Sequence, residues 1–183
     1  MNPLGMRIGQ ATKHRPWTGS IRTVIAVCLA TCAPVAHAGA CSVSSTGLAF
    51  GPYPTLAFAG KLASADVTST ATISIRCTGI SLGGSYTLSL GPTTAGGASI
   101  NPRRMTHSNG GDPMLFNAYT DVTRATIWGD ASAGAQFAGT IAIKLLGVQN
   151  FTHTAYGKIP SGQKTLKAGT FSAVPTITLT YHP

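Results

Sequence analysis

Between Val67 and Cys77 the chain alternates without a break, and no other stretch limits the fold as tightly. Val67, Ser69, Ala71, Ile73, Ile75 and Cys77 share one parity; Thr68, Thr70, Thr72, Ser74 and Arg76 share the other. A period of two sends successive side chains to opposite faces of a pleated ribbon. The stretch therefore predicts a β-strand with one apolar and one hydroxylated face. Val, Ile and Thr also suit such a surface. The apolar parity ends on a cysteine, which raises the question of its partner.

The chain opens on a basic segment carrying Arg7, Lys13, Arg15 and Arg22, followed by an apolar run from Thr23 to Val35 and then Ala36-His37-Ala38. This is the layout of a secretory signal peptide, with an apolar run too short to span a bilayer and a small-x-small cleavage pattern. Cleavage is expected between Ala38 and Gly39, leaving 39–183 as one domain after a 1–38 signal. The long basic segment makes Met6 an alternative start. Leu29-Ala30-Thr31-Cys32 has the outline of a lipidation box, but Thr31 stands where a smaller residue is wanted. Cys28 and Cys32, spaced like a metal or redox pair, leave with the signal.

That removal takes four of the 13 basic residues, leaving nine against four acidic ones and a formal net charge of +5 rather than +9. The remaining cations are scattered and lack interleaved aromatics, which argues for a mild surface charge and against a nucleic-acid interface. Only Cys41 and Cys77 remain among the cysteines, in an exported and oxidising setting, so one disulfide is expected between them.

With no long 3.6-residue periodicity, almost no helix is expected. Strands are read at Cys41–Phe50, at Val67–Cys77, at Ser85–Gly91, at Met114–Thr120, at Thr126–Trp128, at Phe137–Leu146, at Phe151–Ile159 and at Phe171–Tyr181. Pro92–Pro113 reads as a long loop, and Tyr53–Gly60 as an apolar edge segment. Short alternating strands separated by turn signals predict an all-β antiparallel sandwich.

The residue inventory argues against an enzyme. The acids after residue 38 are Asp66, Asp112, Asp121 and Asp130, and the histidines His107, His153 and His182. No nucleophile elbow, phosphate-cradling glycine motif or zinc-binding H-E-x-x-H is present. The aspartates read as turn-capping residues rather than a calcium loop, and His107 as a surface residue. No cofactor, metal or small-molecule substrate is expected.

Several motifs resemble the spore coat protein U domain, which also forms the subunits of archaic chaperone–usher pili. They run in order from Cys41-Ser42-Val43 and Phe50-Gly51-Pro52-Tyr53 through Cys77 to Arg103-Arg104-Met105. Phe116-Asn117-Ala118-Tyr119-Thr120-Asp121, Ile127-Trp128-Gly129-Asp130 and the stretch Tyr156–Gln163 follow, then Ala168-Gly169-Thr170-Phe171 and Ile177–Tyr181. The resemblance implies an incomplete immunoglobulin-like sandwich lacking its final strand. A periplasmic chaperone would lend that strand, and an outer-membrane usher would exchange it for an extension of another pilus subunit. Export would lead to the periplasm and then to a fimbrium at the cell surface, in cell adhesion and biofilm. On this reading Phe50, Ile73, Ile75, Ile177, Leu179 and Tyr181 belong to the acceptor groove.

Only Gly39 and Ala40 would precede Cys41, so the subunit is expected to accept a strand but not to donate one. That suggests a tip or accessory position, with Tyr53, Leu56 and Phe58 as an adhesive loop. Two other readings stand beside it: a self-complete surface or spore-coat protein, and a small adhesive binding module.

Overall fold

A computed structural model describes residues 39–54, 65–80, 82–95, 97–144 and 147–183. The expected signal, its cleavage residue Ala38, and Leu56 and Phe58 of the expected adhesive loop lie outside these residues.

The alternating stretch forms β2 (Val67–Thr78). Ala71, Ile73, Ile75 and Cys77 are buried, while Thr68, Thr70, Thr72, Ser74 and Arg76 face solvent. On one side β2 pairs with β1 (Ala40–Ser45), and on the other with β7 (Val148–Ile159) along its whole length. β7 continues to β5 (Met114–Tyr119), then to β4 (Arg103–His107) and the two-residue β8 (Phe171–Ser172). This gives a six-stranded sheet in the order β1-β2-β7-β5-β4-β8. A three-stranded sheet, β6-β3-β9, combines β6 (Phe137–Ile141), β3 (Gly84–Leu90) and β9 (Ile177–His182). Every ladder is antiparallel, and no helix occurs among the described residues. The fold is an all-β, sandwich-like arrangement of two sheets.

Two apolar clusters fill the interior. The larger joins Ile73, Ile75 and Cys77 of β2 to Tyr86, Leu88 and Leu90 of β3 and to Trp128 and Ile141. The smaller gathers Met105, Met114, Phe116, Ile159 and Leu166 at the β4–β5 end. Cys41 and Cys77 face each other in the β1–β2 register and form the expected disulfide.

Several sequence boundaries move. β1 ends at Ser45 rather than Phe50, because Gly47 takes φ 75° and turns the chain out of the ladder. The expected Pro92–Pro113 loop contains β4, whose alternation is disguised by two arginines and a histidine. Phe137–Leu146 pairs only as far as Ile141, and Thr126–Trp128 contributes isolated bridges at Ile127 and Trp128. The expected final strand divides into β8 and β9, which lie in different sheets. Pro175, which has no N–H to donate, sits in the crossing between them.

The disulfide closes a loop of 36 residues, which in the chain-entropy account is about 4 kcal/mol of stability. Cys41→Ser with Cys77→Ser is expected to lower the melting temperature by roughly 10 °C or more, read by thermal denaturation followed by circular dichroism.

Candidate functional site

Six strands cannot all be faced by three, and part of the larger sheet's inner surface borders open space. A cleft of about 870 Å³ lies there. Its floor includes Ala71 and Ile73 of β2, Ala155 and Ile159 of β7, Phe116 and Ala118 of β5, and Leu90 and Trp128. Gly47–Tyr53 form one rim and Lys167–Pro175 the other, with Ile177 at the start of β9. Lys167 is the one charged residue among those that line it.

The first rim is chain that has left β1 but still follows β2. The Thr46 N–H donates to the Thr72 carbonyl (3.1 Å), the Thr72 N–H to Thr46 Oγ1 (3.0 Å), and the Ser69 hydroxyl to the Ala49 carbonyl (2.8 Å). Leu48 packs on the larger cluster, and Phe50 and Tyr53 on the smaller. A methyl group on Gly157 would stand 2.6 Å from the Phe50 ring, so glycine in β7 makes room for this rim. Tyr53 anchors its far end, donating to the Pro160 carbonyl (2.9 Å) and accepting from the Gln163 N–H (3.1 Å).

The opposite rim hangs on His107. Its Nδ1 accepts from the Asn109 N–H (3.0 Å), so Nε2 donates to the Ala168 carbonyl (3.1 Å). The ring also meets Phe171 edge-on at 4.9 Å. His107 is 5% exposed, correcting its reading as a surface residue: β4 turns it inward to carry the rim.

Arg103 departs from the surface-charge reading in the same way, being fully buried. Its Nε donates to the Gly91 carbonyl (3.0 Å), Nη1 to Asn117 Oδ1 (2.7 Å), and Nη2 to the carbonyls of Leu90 (2.6 Å) and Trp128 (2.8 Å). Desolvation pulls its pKa down to about 10, against the favourable field of Asp130. It therefore remains a cation at neutral pH. Arg103 thus bolts β4, in the larger sheet, to the end of β3, in the smaller.

Other motif residues brace turns. Asp121 accepts from the Thr123 hydroxyl and from the N–H groups of Ala125 (3.2 Å) and Thr126 (2.7 Å). Asp130 likewise accepts from the Ser132 hydroxyl (2.7 Å) and the Ala133 N–H (2.9 Å). These donors lower both carboxyl pKa values, led by the Thr123 and Ser132 hydroxyls. Asp66 pairs with Lys158 at 3.5 Å on the surface. No group of three or more His, Cys, Asp or Glu side chains able to hold a metal occurs among the described residues.

His153 occupies the space between the sheets. Its Nε2 lies 2.9 Å from the Tyr86 hydroxyl, and its ring stacks on Phe137 at 4.7 Å. Burial lowers the His153 pKa below the ordinary 6.5 and raises that of Tyr86.

Of the residues expected in a groove, Phe50, Ile73 and Ile177 line the cleft. Ile75 is enclosed in the core at 1% exposure, and Leu179 and Tyr181 pack against that core from β9. Tyr53 is part of the rim rather than a freely exposed side chain. Met105, Met114, Phe116, Ala118 and Trp128 also line the cleft and were missed as lining residues. The alternation of Met114, Phe116 and Ala118 was the available signal, but parity alone does not say which inward face lacks a cover.

The fold and cleft define a disulfide-tied β-sandwich protein with an apolar opening along its side. The chain matches the Spore Coat Protein U domain over residues 26–178, and it belongs to that family. It is also 31% identical over 150 residues to Protein U of Myxococcus xanthus, covering 78% of each chain.

Two measurements check the internal supports. Arg103→Leu leaves three backbone carbonyls and Asn117 without their donor, and is expected to cost about 3–5 kcal/mol in urea unfolding. His153 contributes the second. Its lowered pKa means that, as pH falls below 6.5, the unfolded chain takes up the proton first. Stability is therefore retained above pH 6.5 and declines below it. Urea midpoints at pH 7.5 and 5.5 should fall on acidification, and by less in His153→Asn.

Proposed function

We propose that this protein is a strand-accepting structural subunit of a surface pilus. In this reading it is exported to the periplasm, held there by a chaperone, and assembled through an outer-membrane usher with other pilus subunits. The observation that carries the reading is the apolar cleft beside two strands, β1 and β9, each with a single ladder partner among the described residues. An extended segment laid along β9 would gain main-chain hydrogen bonds from the sheet edge. Its alternate apolar side chains would enter the cleft and set its register. Such a strand would also cover an edge that otherwise invites aggregation. Family membership supports the structural class, and the single charged lining residue suits an apolar guest.

A second reading, a free-standing surface or spore-coat protein, is favoured by the polar accounting. No buried side-chain nitrogen or oxygen lacks a hydrogen-bond partner among the described residues. Periplasmic expression of the full chain with and without its cognate chaperone separates the two. The subunit reading expects a one-to-one complex with the chaperone and degradation or aggregation without it. A soluble monomer that melts cooperatively alone, and ignores the chaperone, would establish the free-standing protein.

A further inference from the structure

The chain has four methionines, two of them before residue 7. The other two, Met105 and Met114, are directly opposed in the β4–β5 register and both line the cleft. They are 8% and 5% exposed, and they pack among Phe116, Ile159 and Leu166. A space of about 870 Å³ admits water-sized molecules, and hydrogen peroxide is little larger. The thioethers thus stand where a small oxidant can enter while the cleft is empty and where a bound guest would exclude it.

We propose that Met105 and Met114 form an oxidation site that discriminates an empty cleft from a filled one. A sulfur lone pair attacks one oxygen of a hydroperoxide, the O–O bond breaks, and an S–O bond forms. The sulfur loses two electrons, and the peroxide leaves as water (or as an alcohol, from an organic hydroperoxide) after proton transfer. The product is a polar sulfoxide in an apolar wall, a poor surface for an apolar guest. An exported chain whose cleft stays open is thereby marked and withdrawn from binding, whereas a filled one is shielded. This consequence for assembly rests on the strand-accepting reading; the oxidation itself does not.

The test uses the purified, disulfide-bonded protein, hydrogen peroxide, and an apolar naphthalene-sulfonate dye as cleft probe. Peptide mass spectrometry should find sulfoxide at both positions in the folded protein, at a rate within about tenfold of free methionine. Saturating dye should slow the reaction about tenfold, and oxidised protein should bind the dye about tenfold more weakly. In Met105→Leu with Met114→Leu, a volume-conserving change, peroxide treatment should leave that variant's own dye affinity unaltered, whatever its starting value. Sulfurs that react only in urea, or unchanged dye binding after both are oxidised, would overturn the proposal. A protein that gives the expected oxidation results yet never binds the chaperone keeps this site and loses only the strand-accepting reading.

Discussion

A buried guanidinium, with no carboxylate in contact among the described residues, ties the two sheets of this sandwich to each other. Burying a lone cation is costly, and the cost is met here by four hydrogen bonds rather than by an ion pair. The acceptors explain why. Leu90 ends β3, Gly91 follows it, and Trp128 forms only an isolated bridge, so these carbonyls lie where regular ladders stop. Buried backbone acceptors need donors, and the planar arginine fork supplies several from one point. Lysine, with a compact ammonium on a flexible stem, does not reproduce that geometry. Because Arg103 belongs to the larger sheet and Leu90 to the smaller, the same bonds fix the two sheets beside the cleft.

Glutamines apply the principle at smaller scale. The Gln163 side-chain amide accepts from the Leu115 N–H (2.6 Å) and donates to the Leu115 carbonyl (2.9 Å). Gln149 serves both backbone groups of Ala142 in the same way, at 3.0 and 2.9 Å. Each amide stands in for one residue of a strand where the ladder has run out. Trp128 adds a bond from its indole N–H to the Leu88 carbonyl at 2.9 Å.

What the sequence revealed divides along the same line. β2, β3 and β7 were legible because inward and outward residues alternate cleanly, β5 through Met114, Phe116 and Ala118 although Asn117 between them is also buried, and Cys41 and Cys77 because no other cysteine follows the expected signal. β4 was hidden because its inward positions are Arg103, Met105 and His107, two of which look like surface residues until their acceptors are known. The crossing from β8 to β9 was hidden because Thr and Val continue through Pro175 with little change in pattern. The cleft itself was legible only through family resemblance. Alternation identifies an inward face, but whether a strand covers that face depends on the count and order of strands in both sheets, which is a property of the whole chain.

The ladders also set when folding can occur. Tyr86 pairs with Tyr181, and Thr87 meets His182 across a separation of 95 residues. β2, near the start of the described chain, takes β7 as its principal neighbour, with Ile73 opposite His153. Neither sheet can therefore be completed from an emerging N-terminal portion; the smaller one waits for the last strand. Topologies dominated by such distant pairings fold slowly, since loop closure must precede the contacts that reward it. A chain delivered in extended form from its N-terminus would spend that interval with β2 lacking β7 and then β3 lacking β9. For a chain delivered in that way the vulnerable period lies in the time before β9 arrives.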